Sequence, residues 1–154
     1  MITNNSPSHT NNFHADHIQL LLNSYQCLLH RPLLTPALSA EQVFYANFAL
    51  ASHNADVDPL FNYANQTALD LFEFSWAELM ALPSRCSVEA TNHVEREKLL
   101  AKVNATGFIE GYTGIRIAKS GKRFRINDVT VWNVCDADNN YCGQAAYFAD
   151  WTLW

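Results

Sequence analysis

The sequence predicts an α+β fold in which an antiparallel sheet of about five strands carries short helices on one face and an N-terminal helix. Two observations predict this fold. The stretch DPLFNYANQTALDLFEFSWAELMALPSR, from Asp58 to Arg85, has the pattern of a short strand followed at once by two short helices. All five prolines lie before Ser84 and all five glycines lie from Gly107 onward. The second half therefore has the glycine-containing turns that separate consecutive antiparallel strands.

The stretch from Asp58 to Arg85 contains its own start signals. Leu60 to Ala64 is apolar and aromatic, which suits a short strand with one buried face. Asn65 stands where a helix begins, because its side-chain oxygen can accept from a free N–H of the first turn. Ser75 opens a second helix, and Glu78 occupies the reciprocal position of a capping box. The order strand, helix, helix therefore follows from local chemistry.

A chain of 154 residues is expected to form one domain, here preceded by two N-terminal segments. Residues 1–12 are polar and without period, which predicts a disordered tail. Residues 13–38 are predicted to form an N-terminal helix and a connector, and residues 39–154 the domain proper. The apolar stripe of the helix covers either this domain's own sheet or the same helix in a second copy; its members are Ile18, Leu21, Leu22, Tyr25 and Leu29.

The remaining elements follow in order. Ser39 begins a short helix, and residues 48–53 are predicted to form the first strand. Asn92 starts the longest helix of the second half, and Gly107 is its natural stop. Three long strands are predicted over residues 108–118, 123–134 and 141–151.

Strict alternation along the middle strand predicts which side chains face the interior. Phe124 and Trp132 would point inward, and Asp128 and Thr130 would share their face. Buried polar groups need partners, so the interior would be mixed polar and apolar. Val129 and Val131 would stand on the outer face, where the N-terminal helix could cover them.

The net charge of −5 gives no global attraction to nucleic acid or to an anionic membrane. One local exception is a basic hairpin that holds half of all lysines and arginines. It is either a solvated rim or a docking patch for an acidic partner; its members are Arg116, Lys119, Lys122, Arg123 and Arg125.

The four cysteines form no C-x-x-C pair, so a zinc or thioredoxin-like site has no support. Cys135 and Cys142 flank the last turn, and a two-residue turn would place them opposite each other. A bulged turn with Asn139 left-handed would instead pair Cys135 with Tyr141, and we favour this arrangement without a disulfide. Free thiols indicate a reducing compartment.

No apolar run reaches the roughly 18 residues that a membrane span requires. The first basic residue is Arg31, so the start of the chain lacks the charged region of a signal peptide. We therefore expect a cytoplasmic protein that binds neither membrane nor nucleic acid.

The element order and a set of short motifs resemble the MEKHLA domain family, a group of PAS-like domains. The resemblance covers roughly four-fifths of the chain, and its motifs are individually weak but stand in register. It implies a PAS-like fold and a sensory or regulatory role, with a small-molecule pocket or a surface for protein contacts. The matching pieces are Ser52-His53 with Asp58-Pro59, FNYANQTALDLFE (Phe61–Glu73), Trp76, LPSR (Leu82–Arg85), GFIEGYTGIRI (Gly107–Ile117), SGKRFRI (Ser120–Ile126), VTVWN (Val129–Asn133) and GQAA (Gly143–Ala146).

Two PAS cofactors, flavin and haem, are possible but lack motif support here. Photoreceptor PAS domains place a reactive cysteine in an N-C-R-F-L-Q setting, whereas Cys86 lies within Ser84 to Glu89 without the Asn, Phe and Gln. Some haem-binding PAS domains use a histidine on the long helix, but His93 stands at its first turn. The cofactor therefore stays unknown.

A ligand pocket needs an apolar wall and a few placed polar groups. Seven aromatic residues could form the wall, or could fill the core and leave no cavity: Tyr63, Phe72, Phe108, Tyr112, Phe124, Trp132 and Tyr147. Candidate polar groups are Asn62, Arg85, Asp128, Thr130, Asn133 and Gln144. The predicted ligand-binding residues are Asn62, Tyr63, Phe72, Arg85, Tyr112, Asp128, Thr130, Trp132 and Gln144.

Three functions remain to be weighed. The leading one is a non-enzymatic sensor that binds a small organic ligand and signals through a partner or self-association. The second is an interaction module that binds a protein partner or a second copy through the N-terminal helix and outer sheet face. The third is a small enzyme using His53 or Asp128. His53, Asp56 and Asp58 could form a metal or acid–base cluster, but a turn satisfying its own backbone explains them better, so no catalytic or metal residue is predicted.

Overall fold

The computed structural model describes residues 5–89 and 92–153, and it confirms the α+β fold with an antiparallel sheet and an N-terminal helix. Short 3₁₀ helices cover His9–His14 and Ser84–Ser87. The other elements are α1 (Ala15–Leu29), α2 (Ala40–Phe44), β1 (Ala49–His53), β2 (Phe61–Ala64), α3 (Gln66–Phe72), α4 (Trp76–Met80), α5 (His93–Thr106), β3 (Phe108–Ile117), β4 (Arg123–Cys135), β5 (Tyr141–Phe148) and β6 (Asp150–Leu153).

The sheet runs in the order β2-β1-β5-β4-β3, and every neighbouring pair is antiparallel. It has six strands because the last predicted strand breaks after Phe148. The chain then returns as β6, which pairs with the beginning of β4. The long β4 strand is therefore at the centre of the molecule, paired with β5, β3 and β6.

The apolar stripe of α1 lies on the chain's own sheet. Leu21 is fully buried, and its carbonyl oxygen accepts a hydrogen bond from the indole nitrogen of Trp132 in β4 at 3.0 Å. One turn later the hydroxyl of Ser24 donates to the carbonyl of Cys135 at 3.1 Å and accepts from its N–H at 3.0 Å. The first of the two predicted partners, this domain's sheet, is thus the one that the helix covers.

Part of the predicted N-terminal tail is helical. Residues 1–4 lie outside the described residues, but His9–His14 form a kinked 3₁₀ segment in which Asn12 and Phe13 are left-handed, which corrects the prediction of a disordered tail for that part. Ser8 and Asn11 form a capping box at its start. Phe13 is buried between the rings of Phe44 and Tyr45, and this apolar contact holds the segment on the domain.

The predicted alternation along β4 is wrong beyond Asp128. Asp128 has φ +49° and is exposed, and the pairing with β3 shifts register nearby. This irregularity adds one residue to the strand, so the side chains after it exchange faces. Val129 and Val131 face the same side as Phe124, whereas Thr130 and Trp132 face α1.

A second bulge acts in the same way on β2. Ser52 pairs with Tyr63 but His53 pairs with Phe61, so Asn62 is an extra residue between the two pairs. Phe61 therefore packs toward Phe72 of α3, at a ring distance of 6.5 Å. Tyr63 instead lies against His17 of α1, at 5.9 Å.

The predicted helix starts and stops are largely confirmed. The Asn65 side chain accepts from the N–H of Ala68, and Ser75 forms a capping box with Glu78. Gly107 ends α5 with φ +91°, a conformation that suits glycine. In α5, Leu99 and Val103 are buried, whereas Val94 is 68% exposed.

The last turn adopts the predicted bulged form. Asn139 is left-handed with φ +63°, and Cys135 pairs with Tyr141. All four cysteines are free thiols. Within residues 5–89 and 92–153, no helix has the length and apolar character needed to cross a membrane.

Candidate functional site

A cavity of about 100 Å³ lies between the sheet and the helical segments α3, Ser84–Ser87 and α5. It opens on the face of the sheet opposite α1, which we call the inner face. Its walls are mainly apolar, and the residues that form them are Phe61, Phe72, Leu99, Leu100, Ile126, Val129, Val131, Ala146 and Phe148.

Neutral polar side chains line one part of this cavity. Gln144 is buried, and its amide nitrogen donates to Asn104 at 3.2 Å and to Asn133 at 3.1 Å. The ring nitrogen Nδ1 of His53 lies 2.9 Å from the carbonyl oxygen of Asn54. Burial lowers the pKa of His53, an effect reinforced by the nearby charge of Arg96. His53 is therefore a neutral group facing the cavity at pH 7.

Two arginines complete the lining. Arg96 comes from α5 and donates to the hydroxyl of the buried Ser84. Arg116 comes from β3, donates to the carbonyl of Ile115 at 2.9 Å, and lies over the ring of Tyr112 with 5.7 Å between Cζ and the ring centroid. Burial lowers the pKa of Arg96, and the like charge of Arg116 lowers it further. Both groups keep their charge because the guanidinium does not deprotonate in proteins.

Of the nine residues predicted to bind a ligand, Phe72 and Gln144 line the cavity. Asp128, Thr130 and Trp132 do not, because the bulge in β4 exposes the first and turns the other two toward α1. The bulge in β2 likewise places Asn62 and Tyr63 near α1.

The other two predicted residues have different partners. Arg85 forms an exposed ion pair with Asp58, at 3.0 Å from Nε to Oδ1. The Tyr112 ring lies beneath Arg116 beside the cavity, and its hydroxyl is 3.4 Å from Oε1 of Glu95.

The remaining predicted wall and polar residues do not line the cavity. Phe124 is buried on the inner face behind Phe72, with 5.1 Å between ring centroids. Tyr147 packs against Phe48 at 5.0 Å, and Phe108 pairs in register with Trp132. Asn133 accepts a hydrogen bond from the amide nitrogen of Gln144, which lines the cavity.

Sequence reasoning missed the two arginines and the two valines of the cavity. A helical period does connect Arg96 with the buried Leu99 and Val103, at spacings of three and seven residues. That signal could have placed Arg96 on the buried stripe of α5. The two valines were assigned to the wrong face because of the bulge at Asp128.

A separate polar cluster lies between α1 and the sheet. The Ser52 hydroxyl donates to Oδ1 of Asn62 at 2.5 Å, so its 2.9 Å contact with Nε2 of His17 has the histidine as donor. Burial, followed by the neighbouring His14, lowers the pKa of His17 to about 4. Burial also raises the pKa of Tyr63, whose hydroxyl has no hydrogen-bond partner among the described residues.

The possible cluster of His53, Asp56 and Asp58 does not converge. Asp56 and Asp58 are exposed, and Asp58 is paired with Arg85, whereas His53 faces the cavity. In the part of the chain that is described, no three histidine, cysteine or acidic side chains could hold a metal ion. The hydrogen bonds of Asn54 to the N–H groups of Asp56 and Leu60 agree with the turn interpretation.

The residues around the cavity do not fit flavin or haem. The cavity volume of about 100 Å³ is well below the roughly 300 Å³ at which pockets for drug-sized ligands begin. Cys86 is exposed and does not line the cavity. His93 lies 3.0 Å from the carbonyl oxygen of Val88 through Nε2 and is also outside the lining.

Much of the basic hairpin is paired within the chain. Lys119 forms an ion pair with Glu78 and Arg123 with Glu89, while Arg116 faces the cavity. These contacts favour the rim interpretation of the hairpin over a docking patch.

The family and structure comparisons agree with this architecture. A model of the MEKHLA domain matches residues 15–153. No curated protein matches the chain. Among solved structures, the PAS domain of a Colwellia psychrerythraea protein has a TM-score of 0.61 and 13% identity, and the match covers 70% of this chain and 89% of that chain.

Two photoreceptor structures are also similar. The light-state dimer of the fungal blue-light photoreceptor Vivid has a TM-score of 0.62 and 16% identity, covering 86% of this chain and 93% of that chain. An RNA-binding light-oxygen-voltage receptor has a TM-score of 0.59 and 15% identity, covering 70% of this chain and 30% of that chain. At these identities the similarity establishes the PAS fold.

Proposed function

Because this chain belongs to the MEKHLA domain family and has the fold of PAS domains, we propose that it is a sensory or regulatory domain. It binds a small organic ligand in the cavity between the sheet and the helices. It passes the signal to a partner or to a second copy of itself. The ligand-binding residues that we retain are Phe72 and Gln144, joined by the lining residues His53, Arg96, Arg116 and Val131.

The observation that carries this proposal is the position of the cavity relative to α1. Val131 lines the cavity on the inner face, and the next residue, Trp132, donates to Leu21 of α1 on the other face. A ligand that moves β4 therefore moves the surface on which α1 lies. Interiors are close-packed, so small shifts are transmitted rather than absorbed.

Ligand screening with a read-out on α1 tests the proposal. Native mass spectrometry of the purified protein, followed by a thermal-shift screen of small organic acids, amines and amides, identifies ligands. With a ligand bound, hydrogen exchange of the α1 amides should change by more than that of α2, which lies farther from β4. A ligand that binds without altering α1 would overturn the signalling part of the proposal.

A cavity-filling variant locates the binding site. Ala146→Leu adds three carbons to the cavity wall, and it should abolish binding while the far-UV circular dichroism stays unchanged. Ala137→Leu, in the exposed last turn, is the matched control and should bind normally. Equal binding by both variants would place the ligand elsewhere and overturn the proposed site.

A constitutive dimerisation module is the weaker alternative. It needs an apolar face that the chain leaves uncovered, but the α1 stripe is buried on the sheet. Among the described residues, the exposed large apolar side chains are scattered over separate segments: Tyr45, Val57, Val94, Tyr141 and Leu153. Self-association is therefore better explained as a response to ligand binding. Sedimentation with and without ligand measures it.

A further inference from the structure

The two arginines at the cavity lack the partner that such groups usually have. Within residues 5–89 and 92–153, Arg31, Arg85, Lys119 and Arg123 each form an ion pair with a carboxylate. Arg96 and Arg116 are in none of them and donate instead to a hydroxyl and a carbonyl. Both side chains are half-buried, and a partly desolvated guanidinium gains free energy from an opposite charge.

The described surroundings supply no negative charge. No carboxylate among the described residues lines the cavity, and His53 is neutral. The charge of Arg116 is close enough to lower the pKa of the Arg96 guanidinium. Asp58 and Glu97 attract Arg96 from outside the cavity, but Asp58 is already paired with Arg85. An anion between the two guanidinium groups would relieve their repulsion and satisfy their free N–H groups.

The rest of the cavity determines what kind of anion fits. Phe72, Val129 and Val131 form an apolar wall, which favours a hydrocarbon portion over a fully hydrated inorganic ion. The volume of about 100 Å³ is smaller than the roughly 150 Å³ of an engineered cavity that accepts benzene. The occupant is therefore small.

We propose that the cavity binds a short-chain organic carboxylate, with its carboxylate between Arg96 and Arg116 and its carbon chain against Phe72 and Val131. This inference rests on the proposed function, because it names the chemical class of the ligand that the sensor cavity takes. Gln144, whose amide nitrogen donates to Asn104 and Asn133, also lines the cavity.

Isothermal titration of the full-length protein at pH 7 and low salt tests the inference. The probes are propionate, butyrate and pyruvate, the neutral amides propionamide and butyramide, and inorganic phosphate. At least one carboxylate should bind, and about 10-fold or more tighter than the amide of the same chain length, because hydrogen bonds to charged groups are the stronger ones.

Two arginine variants test whether the guanidinium groups bind the carboxylate. Arg96→Gln and Arg116→Gln should each weaken carboxylate binding by about 10- to 100-fold. Lys98→Gln removes an exposed positive charge on the same helix, outside the cavity, and should leave the affinity unchanged. If Arg96→Gln does not fold, Arg116→Gln and the comparison of acid with amide in the parent still decide the question.

The outcomes separate this inference from the proposed function. Amides that bind as tightly as acids, with no effect of either arginine variant, would overturn the carboxylate assignment and leave a neutral-ligand sensor. Phosphate binding without carboxylate binding would also overturn it. Absence of binding by every probe would overturn the inference, and the broader ligand screen would then decide the proposed function on its own.

Discussion

The indole nitrogen of Trp132 donates a 3.0 Å hydrogen bond to the carbonyl oxygen of Leu21, and so ties α1 to the central strand. Trp132 is completely buried, with the ring of Tyr25 edge-on at 5.1 Å. This contact lies directly behind the cavity wall at Val131, so it connects the cavity face of the sheet with α1.

Trp132→Phe should lower the free energy of unfolding by about 2 kcal/mol. The change removes one buried hydrogen bond and leaves a small void under α1. Urea denaturation measures the loss. The control Trp151→Phe changes a partly exposed indole beside Phe148 and should cost less than about 1 kcal/mol. Equal losses in the two variants would contradict the special position of Trp132.

The left-handed bulge makes a distinctive prediction at Asp128. Asp128→Gly should be at least as stable as the parent, because glycine adopts positive φ without steric cost. Asp128→Val should be destabilised by about 1–2 kcal/mol, since a β-branched residue is strained in this conformation. Thermal or urea unfolding separates the two. If Asp128 faced an apolar interior in a regular strand, valine would be the better tolerated of the two.

Asn65 should be among the most sensitive positions in the chain. It is fully buried and all its polar atoms are used, with Oδ1 accepting from Leu50 and Ala68 and Nδ2 donating to Val43 and Phe48. Asn65→Ala strands several buried groups and should cost at least about 4 kcal/mol, measured by urea denaturation.

Ser75→Ala provides the comparison for Asn65. Ser75 is also an N-cap, but it is exposed and accepts from Glu78 alone. Its loss should cost about 1 kcal/mol, the usual value for a cap. Similar costs at both positions would show that Asn65 acts only as a cap and does not join α2, β1 and α3.

His17 should make the protein less stable as the pH falls below neutrality. Its folded-state pKa of about 4 lies below the ordinary value of 6.5, so the unfolded chain binds more protons between these values. Stability is therefore complete above pH 6.5 and declines toward pH 4, by an amount on the order of 3 kcal/mol. Urea denaturation at several pH values measures the slope.

His17→Gln keeps an N–H donor for Ser52 but cannot take up the proton, so the slope should become shallower in this variant. His53 contributes in the same direction, because its pKa is lowered too, and some slope will remain. Asn23→Gln, on the exposed face of α1, removes no titratable group and is the control that should keep the parent slope. An unchanged slope in His17→Gln would mean that His17 is not the titrating group.

Local signals were sufficient for most of the secondary structure. The caps at Asn65 and Ser75, the stripe of α1 and the left-handed turn at Asn139 all depend on residues close in sequence. Each was predictable because the signal that marks it, a capping side chain, an apolar period or a turn residue, lies within a few residues.

Local signals could not predict which face of the sheet each side chain occupies. The bulges near Asp128 and Asn62 arise from how each strand pairs with its neighbours, and a single extra residue exchanges every side chain beyond it. The only local hint was an aspartate in the middle of a strand, a residue that tolerates positive φ. Arg96 was missed for another reason: a charged side chain gives no apolar signal, although Arg96 lies at helical spacing from the buried Leu99 and Val103.

Val131 and Trp132 are consecutive residues that face opposite sides of the sheet. A molecule in the cavity therefore lies one residue away from the contact with α1. Thermodynamic linkage is reciprocal. If a bound molecule strengthens the packing of α1 on the sheet by some factor, the packing of α1 strengthens the binding of that molecule by the same factor. Under the proposed function, displacing α1 from the sheet would therefore weaken ligand binding as well as prevent signalling.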